Sequence, residues 1–511
     1  MINAARQKII LINVGGYKEI NSFSRFYMEQ LNMPLGILYL SSYLDSHGYK
    51  VRLLDTRLKY KSDFLDILHR ELGDTMLVGL SVMTPCVGHA LEISKFIKEK
   101  DGSVKIVWGG VHVTLFPEST VHNQYIDFAI VKEGETGILG LAEYLLGKGR
   151  KISEVPNLVF KQNNNVLENK VDIEDGPGLI VTSKYELLEI DEYVPKLDSL
   201  GHIKRQADMI TSRGCPHQCA FCINNIAYKK KWRPEPLEET LKNLDYLIQS
   251  QRIEHIFFMD DDFFCERNRT KRLIGEIAKR GITWESNCRA DYISEDYMDD
   301  DFLFRLKKSG CIKLRLGLES GSQRILDLLK KEITVKNSIN AVEKLTKHGI
   351  LPSVSFMVGI PTEAKDDVMK TLELILKLLN KNPKIEILGP LIFRPYPGSD
   401  LFNLCQEQGL VMPESLTEWS DFYIHNNLLE EYEHGIPWFP YTYILKRVWM
   451  VPLYLNLKVK SRILKRIIQL LVRSHIRTKL KFIEFDYCVY RFTQKILVGL
   501  NKRLFLYRTS G

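Results

Sequence analysis

The sequence predicts an α/β protein in which two successive sheet domains precede a helical, basic tail. Short β-rich runs bounded by Gly, Asp or Pro alternate with amphipathic stretches, a pattern typical of parallel sheets covered by helices. The 511 residues exceed what a single core supports, and a composition of 45% hydrophobic and 26% charged residues is that of a globular protein. The predicted domain organisation is 1–145, a connector over 146–205, 206–405 and 406–511.

The first segment is predicted to form a parallel, doubly wound sheet with strands at 8–14, 49–55, 77–83, 105–110 and 128–134. Helical stretches lie between them, at 35–47 and 88–100 among others. No GxGxxG follows the first strand, which counts against a dinucleotide-binding unit. In such sheets a ligand lies outside the carboxyl ends of the strands. The small and polar residues at those ends are Ser81, Thr84, Gly109, Gly110, Glu133, Gly134 and Glu135.

The second segment repeats the strand–helix alternation. Its predicted strands are 208–214, 255–262, 283–290, 313–320, 353–360 and 386–393. Six strands with intervening helices indicate a partial (β/α)₆ barrel. The pattern leaves open whether the barrel closes.

The tail is predicted to be helical and to carry the positive charge of the chain. The net charge is +8, yet residues 441–511 hold 16 Lys and Arg against only Glu484 and Asp486. Within this part, residues 463–483 place apolar and cationic side chains at helical spacing. Attraction to phosphate or to an anionic surface is therefore expected to concentrate in the tail.

Cysteine usage indicates a reducing compartment. Six of the nine cysteines occur singly, and the other three lie together, which is unlike a secreted disulfide framework. The first residues show no apolar signal segment, and no uncharged apolar run is long enough to span a membrane. We therefore expect a cytoplasmic protein.

Three cysteines, Cys215, Cys219 and Cys222, form a CxxxCxxC motif directly after a predicted strand. Thiolates are the usual ligands of iron–sulfur clusters. Three of them can each hold one iron of a four-iron cube and leave the fourth iron open to a cofactor or substrate, as open catalytic zinc sites do. A zinc site with His217 as fourth ligand and a set of structural cysteines are the alternatives.

This motif, with Phe221 before its last cysteine, resembles the signature of the radical S-adenosylmethionine (SAM) superfamily. The resemblance implies that the open iron of a [4Fe–4S] cluster chelates SAM and that reductive cleavage yields a 5′-deoxyadenosyl radical. It also implies SAM contacts at the strand ends of the second segment. The residues concerned are Phe221, Asp260, Asp261, Asp262, Glu319, Ser320, Gly359 and Pro361.

Two of these positions depart from the family pattern. The three aspartates stand where the family has a glycine-rich GGE segment, so a solvated turn is the alternative there. Thr362 stands where a second glycine is common after the fifth strand. Phe221 has a core aromatic as its alternative. Residues 394–399, RPYPGS, resemble the closing element of the family near adenine and substrate.

The first segment resembles the flavodoxin-like (Rossmann-like) cobalamin-binding domain of one class in this superfamily. The resemblance rests on residues 34–36, 54–55, 79–81, 109–112 and 133–135, in that order. It implies cobalamin contacts from Ser81, Thr84, Gly109, Gly110, Glu133 and Gly134. The DxHxxG motif that supplies an axial histidine elsewhere is absent, and His112 lacks that context. A degenerate domain without cofactor is the alternative.

With both cofactors, the resemblance implies a C-methyltransferase that acts on an unactivated carbon. Ring closure, oxidation or carbon–carbon coupling without methylation is the alternative. A non-catalytic cobalamin or redox sensor is a hypothesis of another class, which leaves the three cysteines unexplained. No individual catalytic side chain can be assigned from the sequence.

The expected partners are a small-molecule or lipid-like substrate and a reducing electron donor such as flavodoxin or ferredoxin. Two interpretations of 441–511 stay open. It forms either a peripheral membrane contact, which favours a lipid-like or isoprenoid substrate, or a helical cap packed on the protein. Nucleic acid is not expected as a partner, because the first segment lacks the additional cluster cysteines of tRNA-methylthiolating enzymes and holds only Cys86.

Overall fold

A computed structural model describes residues 6–18, 31–163, 165–171, 183–197, 203–227, 231–419 and 436–441, and the single positions 444, 448 and 470. Apart from residue 470, the predicted helix at 463–483 lies outside the described residues, and so does nearly all of the basic part of the tail. Within the described part, no helix combines the length and the apolar character needed to span a bilayer.

The first sheet has seven strands in the order β2-β1-β3-β4-β5-β6-β7. The first five pair in parallel, and the last two are antiparallel. The strands are β1 (Lys8–Asn13), β2 (Val51–Asp55), β3 (Thr75–Ser81), β4 (Lys105–Gly109), β5 (Phe128–Ile130), β6 (Leu158–Gln162) and β7 (Asn165–Glu168). The predicted doubly wound sheet is confirmed. The last two strands, in the predicted connector, extend it beyond residue 145, while the domain boundaries themselves stay predictions.

Helices cover both faces of this sheet. They are α1 (Leu35–Ser46), α2 (Lys61–Glu71), α3 (Val87–Lys100), α4 (Val111–Leu115), α5 (Pro117–His122) and α6 (Glu135–Leu145). Successive residues of β1 alternate between two separate cores, Ile9 and Leu11 in one and Ile10 and Ile12 in the other. A strand buried on both faces needs a continuous apolar run, and this explains the sequence KIILIN.

The second sheet is open and has the order β16-β15-β14-β13-β12-β9-β8. Only β8 is antiparallel to its neighbour, so six parallel strands form the predicted partial barrel. The strands are β8 (Pro195–Leu197), β9 (Ile203–Met209), β12 (His255–Phe258), β13 (Thr283–Cys288), β14 (Cys311–Glu319), β15 (Leu351–Val358) and β16 (Glu386–Ile392). A short hairpin, β10 (Ser212–Arg213) and β11 (Arg233–Pro234), stands above β9.

Helices join these strands and cover the outer face of the barrel. They are α7 (Asn224–Ala227), α8 (Leu237–Gln251), α9 (Arg267–Ala278), α10 (Asp300–Lys308), α11 (Gln323–Leu328), α12 (Val335–Lys347), α13 (Lys365–Lys381) and α14 (Asp400–Glu407). The strand predicted over 208–214 divides into β9 and β10. Pairing breaks at Thr211 because its backbone N–H donates to the Asp260 carboxylate instead of a strand neighbour.

The chain returns to the first domain after the barrel. Leu416 and Trp419 belong to the core on the α2 and α3 side of the first sheet. The ring of Trp419 lies 4.1 Å from that of Phe116 and 5.7 Å from that of His112, centroid to centroid. The two domains are thus joined by the connector before the barrel and by this segment after it.

Candidate functional site

The cluster motif lies on the loop that follows β10. Cys219 is buried, and Cys215 and Cys222 are half-buried. Burial raises the pKa of the Cys215 thiol to about 12, and Asp262 and the other two thiols add to the rise. Burial likewise raises the pKa of Cys222, with a contribution from Cys219. The electrostatic influence of the three thiols on one another indicates that they lie close together, as a cluster held at three corners requires.

His217, inside the motif, belongs to a second possible metal group. Candidate ligand atoms of Cys215, His217 and Asp262 lie within 4.8 Å of one another. The His217 Nε2 atom is also 2.9 Å from the hydroxyl of Tyr292. This group uses one cysteine of the three, so it would compete with the three-thiolate site and not complete it.

The three aspartates after β12 point in different directions. Asp260 is fully buried and accepts hydrogen bonds from the hydroxyls of Thr211 (2.8 Å) and Ser212 (2.5 Å), so it fixes the start of the cluster loop. Asp261 accepts the N–H of Gly214 at 3.1 Å. Asp262 accepts the hydroxyl of Tyr292 at 2.8 Å, and burial raises its pKa to about 6. The alternative of a solvated turn does not apply to Asp260 and Asp262, which are buried, whereas Asp261 is exposed.

Glu319 lies beside the cluster loop and meets a cation that sequence reasoning missed. Its backbone has a φ of 62°, which is uncommon for a residue with a side chain. The Glu319 carboxylate accepts a hydrogen bond from Lys331 Nζ at 3.0 Å. The Lys331 ammonium lies 5.8 Å from the centre of the Phe221 ring. Arg289 donates to the carbonyl of Lys331 at 2.7 Å. No sequence pattern marks Lys331, which follows a short helix twelve positions after its partner.

Ser320 and the turn after β15 have supporting contacts. The Ser320 hydroxyl is 3.1 Å from that of Thr371, so it faces the helix layer. Gly359, with a φ of 76°, and the next residue donate their N–H groups to the Glu363 carboxylate at 2.7 and 3.2 Å. The Gly359 carbonyl accepts Trp438 Nε1 at 2.8 Å, and Pro361 is buried on the same turn.

A cavity of about 430 Å³ lies between the carboxyl edge of the first sheet and the cluster loop. It brings together five of the predicted cobalamin contacts and one of the predicted SAM contacts, Asp261. Its first-domain lining includes Ser81, Gly109, Gly110, Glu133 and Gly134. Its second-domain lining is Ile210, Ser212, Arg213, Ile223, Met259 and Asp261.

Thr84 is not among the residues that line this cavity. Its hydroxyl lies 3.3 Å from His112 Nδ1, and His112 is fully buried beside Trp419. Burial lowers the pKa of His112 to about 4, so the ring is neutral. No histidine is among the described residues that line the cavity, so this part of the lining contains no imidazole that could serve as a ligand.

The first-domain edge is shaped for close approach of a flat ligand. A Cβ at Gly79 would lie 2.7 Å from Leu11 Cδ2, and one at Gly110 would lie 2.8 Å from the Val82 carbonyl. Gly110 also has a φ of 98°, which only glycine adopts readily. These two glycines are therefore required by packing within the first domain. Gly109, where an added Cβ would meet nothing closer than 3.6 Å, leaves bare backbone beside the cavity, which fits the close approach of a corrin ring.

Two carboxylates of this edge reach the other domain. Glu133 forms an ion pair with Arg233, and Glu135 forms one with Arg213 at 2.7 Å. The charged end of Glu133, predicted to contact cobalamin, is therefore engaged by the barrel domain.

Comparison with known proteins agrees with this architecture. The model of the Radical SAM superfamily matches residues 209–375, and that of the B12 binding domain matches residues 28–142. An uncharacterized methyltransferase of Pyrococcus horikoshii is 30% identical over 385 residues, which are 74% of this chain and 80% of that protein.

More distant relatives have a specific reaction in their names. The anaerobic magnesium-protoporphyrin IX monomethyl ester cyclase of Rubrivivax gelatinosus is 26% identical over 72% of this chain and 66% of its own length. The hopanoid C-3 methylase of Methylococcus capsulatus is 24% identical over 72% and 68%.

The solved structure of OxsB, a cobalamin-dependent SAM radical enzyme with aqua-cobalamin and SAM bound, has the same fold. It superposes with a TM-score of 0.68 at 19% identity, and the match covers 98% of this chain and 82% of that one. The two matched domains, together with the Pyrococcus horikoshii relative that is 30% identical over 74% of this chain, show that the chain belongs to the radical SAM superfamily, in the class that carries a B12-binding domain.

Proposed function

We propose that this radical SAM enzyme transfers a methyl group to an unactivated carbon of a small molecule held between its two domains. Its cofactors are those of the two matched families, a [4Fe–4S] cluster with SAM and cobalamin. When bound, the cluster and SAM supply a 5′-deoxyadenosyl radical, and cobalamin supplies the methyl group. The observation that carries the proposal is the single cavity lined by both the cobalamin edge and the cluster loop.

The geometry supports an assignment of residues to each cofactor. Cys215, Cys219 and Cys222 hold the cluster, and the group beside their loop holds SAM. That group comprises Phe221, Asp261, Asp262, Glu319 and Lys331. The backbone edge holds cobalamin through Ser81, Gly109, Gly110 and Gly134. Asp260 and Ser320 act by fixing the strand ends behind these groups, and Gly359 and Pro361 supply backbone at the end of β15.

Much of the cavity lining is apolar. Met83, Val111, Ile210, Ile223 and Met259 surround the space between the two edges. Excluding water from a reactive intermediate prevents its loss to side reactions. The same apolar wall supports a substrate with an apolar reacting part, as the name of the hopanoid relative also suggests.

The proposal is tested with labelled methyl groups. Anaerobically reconstituted enzyme is incubated with extract of the gene-deleted host, trideuteriomethyl-SAM, cobalamin and dithionite. We expect 5′-deoxyadenosine together with a new product that carries the trideuteriomethyl group. The Cys219→Ala variant is the matched control, because it keeps the cobalamin edge and lacks a cluster ligand. Deoxyadenosine with a product that lacks the label contradicts methyl transfer.

Cyclisation or oxidation without methylation is the second candidate. It is favoured by the relative from Rubrivivax gelatinosus, whose name describes a cyclase. The same incubation separates the two, since a cyclase product loses hydrogen and gains no label. A non-catalytic sensor would form no deoxyadenosine at all.

We also propose that residues 441–511 contact a membrane. Liposome flotation tests this part of the proposal. The full chain is compared with a chain ending at residue 440, on vesicles with and without anionic lipid. Selective flotation of the full chain on anionic vesicles is expected. Equal behaviour of the two chains contradicts the membrane contact.

A further inference from the structure

We propose that the ion pairs Glu133–Arg233 and Glu135–Arg213 form a clamp that sets the distance between the cobalamin edge and the cluster loop. The four side chains are thus positioning residues, and the inference rests on the proposed methyl transfer between the two domains. It assigns to Glu133 a contact with the barrel domain in place of the predicted contact with cobalamin.

The clamp is a matched pair of surfaces. Arg213 and Arg233 lie opposite each other in the antiparallel hairpin of β10 and β11. Glu133 and Glu135 flank Gly134 on the turn between β5 and α6. Two adjacent arginines of one domain therefore meet two glutamates of the other, and a shift of either surface by one residue would break both pairs.

The side chains of both ion pairs are largely buried. The side chains of Glu133 and Glu135 are 6% and 5% exposed, and those of Arg233 and Arg213 are 13% and 19% exposed. While the two surfaces stay in contact, a buried carboxylate or guanidinium group that loses its partner by mutation keeps its desolvation penalty, so removal of one partner is strongly unfavourable. The guanidinium of Arg213 also lies 5.1 Å from the centre of the Tyr39 ring, on α1 of the first domain.

Each end of the clamp is rigidly connected to one cofactor site. Arg213 is followed directly by Gly214, whose N–H is bound by Asp261, and then by the first cluster cysteine. On the other side, the carbonyl of Glu133 accepts Asn157 Nδ2 at 2.8 Å. Glu133, Glu135 and Arg213 all line the shared cavity, so the clamp forms one of its walls.

Transfer between two fixed sites depends steeply on their separation. A misplacement of about 1 Å costs on the order of a hundredfold in rate. We expect the Glu133→Gln, Glu135→Gln double variant to keep forming deoxyadenosine. Its methylated product per deoxyadenosine falls by about a hundredfold, since only the second event needs both domains in register.

The direct test measures the distance between the two paramagnetic cofactors and needs no substrate. Holoprotein loaded with the cluster and cob(II)alamin is reduced with dithionite, and the spin–spin interaction is measured by pulsed EPR. Wild type is expected to give one narrow distance distribution, and the double variant a broadened one. Glu143→Gln is the matched control, because it removes a Glu–Arg pair with Arg150 (2.6 Å) that lies wholly within the first domain. A distribution as narrow as that of wild type in the double variant overturns the clamp.

A charge exchange gives a second, independent readout. Arg213→Glu combined with Glu135→Arg restores an ion pair with reversed direction, and we expect it to recover a narrow distribution that neither single change shows. If a variant does not retain cobalamin, hydrogen exchange of the unloaded protein replaces EPR. Loss of protection at 131–137 and 211–214 supports the clamp, and unchanged protection there overturns it. A wild-type enzyme that makes no methylated product would contradict the proposed function but leave the distance measurement valid.

Discussion

The two edges that face the cavity are built in opposite ways. The edge of the first sheet is lined by glycines, which have no side chain, at positions Gly79, Gly109, Gly110 and Gly134. The edge of the barrel is crowded with buried ionisable groups that neutralise or hydrogen-bond one another, such as Glu319 with Lys331. The difference matches the two proposed sites, in which a flat ligand approaches bare backbone and the cluster and SAM are held by a charged shell.

Removal of a cluster thiol has the largest expected effect. Cys219→Ala leaves only two thiolates on the loop, so we expect no four-iron cluster and no deoxyadenosine after anaerobic reconstitution, measured by absorbance, EPR and chromatography. Cobalamin binding should persist because the other edge is unchanged. Cys86→Ala, a half-buried thiol of the first domain, is the control and should keep the cluster. A normal cluster in Cys219→Ala would refute the three-thiol site.

Breaking a buried pair of the barrel edge comes next. Lys331→Met leaves Glu319 buried without its cation, which costs about 3–5 kcal/mol of unfolding free energy. The adjacent Lys330, 58% exposed and paired with Asp400, is the control. Its change to Met costs about 1 kcal/mol or less, because exposed pairs contribute little. Equal losses in the two variants, by denaturant titration, would show that Lys331 is not held in a buried pair.

Adding a side chain to the bare edge tests the cobalamin site. The position of Gly109 is chosen because a Cβ there meets nothing closer than 3.6 Å, so the fold tolerates it. Gly109→Val projects into the cavity, and overpacking of about 1–3 kcal/mol lowers cobalamin affinity roughly tenfold to a hundredfold. Gly73→Val, where nothing lies within 4 Å, should bind normally. Unchanged affinity of Gly109→Val would move the ligand elsewhere.

The last effect, smallest when expressed per pH unit, concerns the buried carboxyl of Glu363. Burial raises the pKa of Glu363 from 4.5 to about 8, so the folded protein keeps a proton that the unfolded chain releases. Stability therefore falls as the pH rises between these values, by at most about 1.4 kcal/mol per pH unit. Glu363→Gln, which keeps an acceptor for Gly359, should show a shallower fall in thermal midpoint from pH 5.5 to 8. Parallel curves would contradict the raised pKa.

Features that depend on local sequence patterns could be predicted from the sequence. Apolar runs of the β1 type predicted both sheets, which the structure confirms. The CxxxCxxC spacing predicted a cluster loop and the glycines at strand ends predicted a cobalamin edge, and these two assignments stay predictions. Periodicity and spacing report on neighbours along the chain, so they reach these features directly.

Features made by distant partners were not predictable. Glu133 appears in the sequence as a free acid at a strand end, and its arginine lies 100 positions away. Asp260 and Asp261 are adjacent in the sequence, yet one supports the loop from behind and the other lines the cavity. Thr84 follows a strand that lines the cavity but turns to His112. Such choices are set by tertiary packing.

The packing of Leu416 and Trp419 against the first domain has a consequence for synthesis of the protein. Leu416 and Trp419, 5% and 2% exposed, complete a core that otherwise belongs to the first domain. A nascent chain therefore cannot bury that surface fully until the ribosome has made the whole barrel, although N-terminal domains commonly fold first. The emerging first domain is expected to need shielding by chaperones over that interval, and arrested chains ending at residue 405 should be cleaved by protease more readily than those ending well beyond residue 419.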